Sequence, residues 1–382
     1  MKLIKYKLGD LIRQRRQKND SNDLPICGVT RDGFIPPKQQ DADTSLYNVF
    51  YLKDFVFNPA RMELNAIVFN DRYEKAICSS LYEVFYVHRP EVILPEYLAL
   101  LVKQDWFTRY CKFMGSGSAR EYCRVANISE LEIEVPPIEF QAEMARDNQI
   151  IRDRIELKRR INDNLEATAQ AVFQDQFSSY YGCDKLPEGY SIVSLDSLCT
   201  VKGGKRLPAD CELLDDPTEH PYIRVRDVGG SRYVCLTDQF QYIDEETHQA
   251  ISRYIVNTGD IVISIVGTIG LLGKIHSSLD KANLTENCVK LAGIHTVTSD
   301  YLYYTLCYKK QIKEIDLLTV GAVQAKLPMY NIQSMKILVP PTKVISDFQK
   351  KMNALDEQIE ANTMEIQKLN ELRSVLLAKL SD

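Results

Sequence analysis

Two long stretches of the chain place apolar residues in alternating steps of four and three, the spacing of a helix that buries one continuous seam. In the later stretch the seam is Leu355, Ile359, Asn362, Ile366, Leu369, Arg373, Leu376 and Leu380; moved back by 204 residues, the same register falls on Ile151, Ile155, Lys158, Asn162, Leu165, Ala169, Val172 and Gln176. The earlier seam is the weaker one. Polar residues at Lys158, Asn162, Asn362 and Arg373 interrupt the pattern, and such residues set register and orientation at some cost in stability. Helices of about 40 residues would each run roughly 60 Å, and with a globular segment between them they can meet as an antiparallel pair. The competing reading, in which each helix packs only on its own globe, accounts less well for seams of this length.

Outside the helices the period changes. Asn65–Phe69, Tyr82–Val87, Tyr222–Val225 and Asp260–Ser264 read as strands, and 96–110 and 299–314 read as helices. Ile133–Val135 and Lys336–Val339 end as short strands at Val135-Pro136-Pro137 and Val339-Pro340-Pro341. Proline cannot continue a preceding element in helical geometry but suits a helix's first turn, so each long helix begins there. The order is globe, rod, globe, rod: 1–138, 139–182, 183–341 and 342–382. The fold class is α+β, with two similar mixed globes separated by two long helices that form an antiparallel coiled coil.

The 204-residue offset extends beyond the helices. Tyr97-Leu98 recurs as Tyr301-Leu302, Gly117 as Gly321, Asn127-Ile128 as Asn331-Ile332, and Val-Pro-Pro recurs whole, with no gap needed. The repeat is strongest from Tyr97 through the rods and fades across the N-terminal parts of the globes. Two copies of one unit present two similar surfaces, a geometry suited to reading something long.

Composition narrows the picture. At 382 residues and 45% hydrophobic content the chain can bury two or three cores. No apolar run approaches the ~20 residues of a membrane span, and Met1–Asp10 lacks a signal-peptide pattern, so the expected location is the cytosol. The ten cysteines are scattered, without the spacing of a zinc site or a disulfide framework. A net charge of −5 argues against a protein that grips nucleic acid over its whole surface; binding would be local.

Catalytic motifs are missing. Gly267-Thr-Ile-Gly270-Leu-Leu-Gly273-Lys274 has Ile275 where a phosphate loop needs Ser or Thr, and its glycines suit a tight turn after the preceding strand. The five histidines have no partner at helical metal-site spacing, and there is no Gly-x-Ser-x-Gly elbow. The Pro-Pro pairs follow Val rather than the Asn or Asp of an amino-methyltransferase.

The two-globe, two-rod layout, Asn58-Pro-Ala-Arg-Met62, Gly259-Asp-Ile-Val-Ile-Ser264 running into Gly267-Thr-Ile-Gly270, and Val-Pro-Pro at each rod resemble the DNA-specificity subunit of type I restriction-modification systems over nearly the whole chain. The chain departs from that family in carrying Phe140-Gln141 and Phe348-Gln349 where members often have Glu-Gln after the prolines, and in having no Gly-Thr-Ile-Gly counterpart in the first globe. The resemblance implies a non-catalytic reader, each globe contacting one half of a bipartite site in double-stranded DNA and the paired rods holding the halves apart and docking methyltransferase subunits, two by the count of surfaces. S-adenosylmethionine, ATP and Mg would sit on partner subunits, with restriction/translocase subunits joining the full complex; the chain itself would hold no cofactor or metal. The alternatives are a related system whose partner both methylates and cleaves, and a coiled-coil adaptor that binds proteins.

Candidate phosphate contacts are Arg13, Arg15, Arg16 and Lys18, for which a solvated helix face is the competing reading, and Lys202, Lys205 and Arg206 beside Gly203-Gly204, where loop amides and cations together suit phosphate. The clusters follow Leu8-Gly-Asp-Leu11 and Leu195-Asp-Ser-Leu198. Candidate base-edge readers are Arg31, Arg61, Arg120 and Arg124 in the first globe, and Arg224, Arg226, Asn287, Gln324 and Lys326 in the second, since these side chains match base edges in the major groove.

Overall fold

The computed structural model describes residues 3–21, 23–31, 33–37, 43–115, 122–183, 185–237, 239–321 and 325–380. The chain packs as two compact units, residues 1–153 with 372–382 and residues 154–371. The division falls inside both long helices, because their ends are built into the cores of the globes.

The first unit runs β1 (Ile4–Lys7), β2 (Ile12–Arg15), β3 (Ile26–Thr30), β4 (Gly33–Ile35), β5 (Asn48–Tyr51), β6 (Phe55–Phe57), β7 (Ile67–Phe69), β8 (Lys75–Cys78), β9 (Glu83–Val87), α1 (Pro95–Leu101), α2 (Asp105–Gly115), α3 (Val125–Ser129) and β10 (Glu132–Val135), then enters α4 (Ile138–Phe177). β1 pairs with β10, so the unit closes on itself at the Pro-Pro junction. The central sheet has the order β2-β9-β6-β7, and a second sheet has the order β4-β3-β8-β5. On one side of the central sheet Ile12, Phe55, Phe57 and Phe85 meet Tyr97, Leu101, Phe107 and Ile128 of the short helices, with Met144 of α4. On the other side Val56 and Val84 meet Cys27, Val29 and Phe50 of the smaller sheet. Gln141, fully buried, accepts from Leu94 N (2.8 Å) and donates to Val92 O (2.9 Å) and Pro136 O (2.8 Å), tying the start of α4 to the globe.

The second unit contains β11 (Ser191–Ser194), β12 (Thr200–Gly203), β13 (Pro221–Ile223), β14 (Tyr233–Val234), β15 (Gln241–Tyr242), α5 (Glu245–Ile251), β16 (Ile261–Ser264), β17 (Leu272–Ile275), β18 (Asn283–Leu284), β19 (Cys288–Ala292), α6 (Ser299–Leu306), α7 (Lys309–Leu318), α8 (Met329–Ser334), β20 (Lys336–Val339) and α9 (Thr342–Ala378). Its sheet order, β12-β19-β16-β17-β14, repeats the first sheet strand for strand and adds β14. The parallel pair β3–β8 likewise recurs as β13–β18. The duplication therefore covers the N-terminal parts of the globes, where the sequence repeat fades: the connection from Gly203 to Ile261 is longer than that from Arg15 to Phe55, and the constant offset is lost.

The two expected single helices at 96–110 and 299–314 are each broken into two, α1–α2 and α6–α7. Tyr308 O restarts the second pair by accepting from Gln311 N (2.8 Å) and Ile312 N (3.1 Å). The break turns Phe107 and Cys111, and equivalently Gln311 and Ile315, inward.

All sixteen seam positions on the long helices are buried or half-buried. Within the second unit Lys351 bonds Gln176 (3.4 Å), Asn362 donates to Asn162 (2.8 Å), and Lys158 donates to Asn362 (3.0 Å) and pairs with Glu365 (2.7 Å). Partner numbers fall on one helix as they rise on the other, so the pairing is antiparallel. Lys158 and Asn362 are one repeat apart, so this contact joins a position to its own duplicate. Phe173, Phe177, Ile345, Phe348 and Met352 extend the seam into the second core. Within the first unit Arg373 Nε donates to Asn148 (3.0 Å). Among the described residues no helix is long and apolar enough to cross a membrane.

Candidate nucleic-acid interface

The two basic clusters lie on the same strand of the two copies. In β2, Ile12, Arg13 and Gln14 face Val87, Tyr86 and Phe85; in β12, Val201, Lys202 and Gly203 face Leu291, Lys290 and Val289, each exactly one repeat later on the facing strand. Arg13 thus corresponds to Lys202 and Arg16 to Lys205. The competing reading of a helix face is corrected by this: Arg13 and Arg15 stand on strand β2, with Arg16 and Lys18 just beyond it.

The cations are not equally available. Arg15 pairs with buried Asp54 through two bonds (2.6 and 3.0 Å) and lies over the rings of Tyr51 (4.8 Å) and Tyr86 (4.6 Å). Lys18 donates to Leu46 O (2.9 Å) and Asn48 Oδ1 (2.8 Å). Both hold the globe together. Arg16 bonds Gln14 (2.9 Å), and Arg13 and Lys202 are exposed with no ion pair among the described residues. In the second unit Arg206 reaches Glu286 (2.7 Å) from an exposed position, and Lys205 lies 5.8 Å from the Tyr254 ring centre.

The proposed amide cradle at Gly203-Gly204 does not survive. Gly204 N donates to Cys288 O (2.9 Å) and Lys205 N to Leu284 O (2.8 Å), so neither faces a phosphate. Gly204 is needed for close approach instead: a Cβ there would lie 2.1 Å from Thr285 O. Gly267 and Gly270, both near φ +81, form a turn closed on Ser264, whose Oγ donates to Thr268 O (2.6 Å) and accepts from Leu271 N (2.9 Å).

Among the base-edge candidates, Arg61 and Arg124 stand on segments whose backbones are joined where Cys123 N donates to Pro59 O (3.0 Å). Arg124 is exposed, 3.8 Å from Glu83 and 5.8 Å from the Tyr122 ring centre. Arg31 sits apart, at the turn joining β3 and β4. Arg120 and Gln324 lie outside the described residues. Arg224 turns inward to Asp227 (3.2 Å) and Gln241, while exposed Arg226 donates to Gln239 O (3.0 Å).

Asn287 and Lys326 come together with β12. Asn287 O accepts from Ile265 N (2.8 Å), and Lys326 exchanges backbone bonds with Val320 (2.8 Å each). Beside Lys326 an open hollow of about 470 Å³ is lined by Gly203, Ile265, Val289, Lys326, Pro328, Met329 and Tyr330. Met329 and Tyr330 were missed by sequence reasoning, which favours charged and amide side chains. Gly203, standing where the first copy has Gln14, leaves the hollow open.

Arg232 was also missed. Its fully buried side chain bonds Tyr304 Oη (2.5 Å), Asp300 and Asp356, and its centre lies 4.8 Å from the Tyr304 ring. Its backbone N donates to Glu166 (3.2 Å), so one residue fastens the sheet to α4, α6 and α9.

The family model described as type I restriction modification DNA specificity domain matches residues 5–167 and again 187–373. The type I restriction enzyme MjaIX specificity subunit of Methanocaldococcus jannaschii is 23% identical over 308 residues, covering 75% of this chain and 68% of that protein. The HindI specificity subunit of Haemophilus influenzae is 20% identical across 98% of both. The crystal structure of the S subunit of a type I restriction-modification system from M. genitalium shares the fold, with a TM-score of 0.52 at 16% identity over 99% of this chain and 96% of that one.

Proposed function

The chain belongs to the type I restriction-modification DNA specificity family, and from that premise we propose that each globe reads one half of a bipartite site in duplex DNA while methyltransferase subunits held by the chain carry out the chemistry. As a member of that family the chain is a DNA-recognition component and not a catalyst.

The observation that supports the two-half reading is a single scaffold used twice with different faces. The sheet order recurs strand for strand, and exposed cations recur at Arg13 and Lys202 and at Arg16 and Lys205. Contacts to phosphate position a protein without reading sequence, whereas base contacts specify. Arg124 gives way to Pro328 and Gln14 to Gly203 at equivalent places; a common footing with divergent readers suits a target whose halves differ. In the second globe Lys326 and Asn287 provide donors, and the hollow beside Lys326 suits an apolar base edge such as a thymine methyl.

The antiparallel helix pair would set the separation of the half-sites, about one duplex turn or roughly 34–36 Å being the simplest spacing. S-adenosylmethionine, ATP and Mg would belong to methyltransferase and restriction/translocase partners, and the complex would work in the cytosol. Selection from a random duplex pool by the chain with its methyltransferase tests this against a protein-binding adaptor: enrichment of a two-part sequence is expected, and no enrichment over the methyltransferase alone would count against it.

A further inference from the structure

Gly203 is a glycine that neither the backbone nor the packing of the globe requires. It ends β12 without a positive φ, and a Cβ built on it would meet no atom within 4 Å. Glycine weakens a strand and serves where a bulge, a bend or a close approach needs it. The strand runs in unbroken register with β19 from Thr200 through Gly203, which leaves close approach, and no other part of the globe comes near. The hollow that it opens onto is lined also by Ile265, Val289, Lys326, Met329 and Tyr330. Met329 is 41% and Tyr330 67% exposed, and Lys326 is exposed with no ion pair among the described residues.

The first globe has the same place, differently furnished. Leu327 N donates to Ile265 O (2.9 Å) just beyond β16, and one repeat earlier Cys123 N donates to Pro59 O (3.0 Å) just beyond β6. There the first copy has Gln14 and exposed Arg124 where the second has Gly203 and Pro328. A position that carries hydrogen-bond donors in one copy opens onto an apolar hollow in the other.

We propose that Gly203 is a specificity-determining residue: it keeps the hollow open for the C5-methyl edge of one thymine in the half-site read by the second globe. The cation at the rim fits a nucleic acid, and the lining of Ile265, Val289 and Met329 fits the apolar group that the major groove displays, the thymine methyl. This rests on the functional reading above and names what the second globe selects at that position. A side chain at Gly203 would occupy the space the methyl enters, as Gln14 does on the matching strand of the first globe.

The test uses the full chain with the methyltransferase of its own system. A two-part sequence is selected from a random duplex pool, and the selected duplex is resynthesised with deoxyuridine in place of each thymine in turn. Cytosine and 5-methylcytosine, each paired with guanine, are then compared at the position that responds. Wild type should lose about tenfold in affinity at one thymine of one half-site when its methyl is removed, and 5-methylcytosine should bind better than cytosine there. Gly203→Gln should bind thymine and deoxyuridine equally at that position while keeping the other half-site's sequence preference. Gly203→Ala should fall between the two, and thermal melts establish that both variants fold. Deoxyuridine matching thymine at every position of the wild-type target would overturn the proposal, whatever the variants do. So would a methyl effect that Gly203→Gln leaves intact. A pool that yields no two-part sequence would overturn the functional reading itself, whereas a two-part sequence indifferent to deoxyuridine overturns this inference alone.

Discussion

Arg232 is a fully buried cation inside the second unit. It faces Asp300 and Asp356 with its side chain wholly out of water, and removing one partner of such a cluster leaves uncompensated buried charge. Arg232→Ala is expected to cost about 3–5 kcal/mol, measured by urea unfolding followed by circular dichroism, with the loss smaller when Asp300 and Asp356 are made neutral at the same time. Burial pushes the Asp300 carboxyl up, but Lys274 and Arg232 outweigh it and hold it below its ordinary value. Its contribution is therefore present above about pH 4 and lost as the pH falls through the lower folded value. Nothing local announced this residue, because an arginine after Gly229-Gly230-Ser231 reads as loop until the fold assembles its partners. The surface cations behave differently. Arg13→Ala and Lys202→Ala should weaken binding to every DNA sequence and lower the salt slope by about one each. Arg15→Ala should act through lost stability, since its guanidinium already holds Asp54.

Among the elements, the long helices were the most legible, because a buried stripe that repeats every seven residues leaves its mark at every turn. The polar interruptions meet one another: Asn162 with Asn362, and Lys158 with Asn362 and Glu365. Replacing Asn162 and Asn362 together by Leu is expected to leave the melting temperature equal or higher while loosening register, and a lower melting temperature would contradict the register-setting role. Hydrogen bonds from Lys158 and Arg154 hold the Glu365 carboxyl below its ordinary value. That stabilisation is present above about pH 4.3 and lost as the pH falls through the lower folded value; melts at pH 3 and pH 6 should show Glu365→Gln removing part of the acid sensitivity. Helix breaks were harder to read, since α6 and α7 turn apolar residues to the same core and the period barely shifts at Cys307-Tyr308. The strands of the smaller sheets span two to five residues, too few for alternation to establish itself. The loops that carry the base-edge and phosphate candidates were legible only by residue type, and their geometry set aside Arg224 and the amides at Gly204 and Lys205.

For the whole molecule, duplication is the organising fact. Common parts are the sheet order, the strand-borne cations and the Pro-Pro junctions; the parts that differ include Arg124 against Pro328 and Gln14 against Gly203. A reader of two unlike half-sites needs that division, each half being read separately. The most direct measurement is a map of modified adenines in DNA from cells carrying the assembled methyltransferase with the wild-type chain or with Lys326→Ala and Tyr330→Ala. A two-part sequence with a fixed spacer is expected, of which the variants alter one part only. A single uninterrupted sequence, or a change in both parts together, would contradict it.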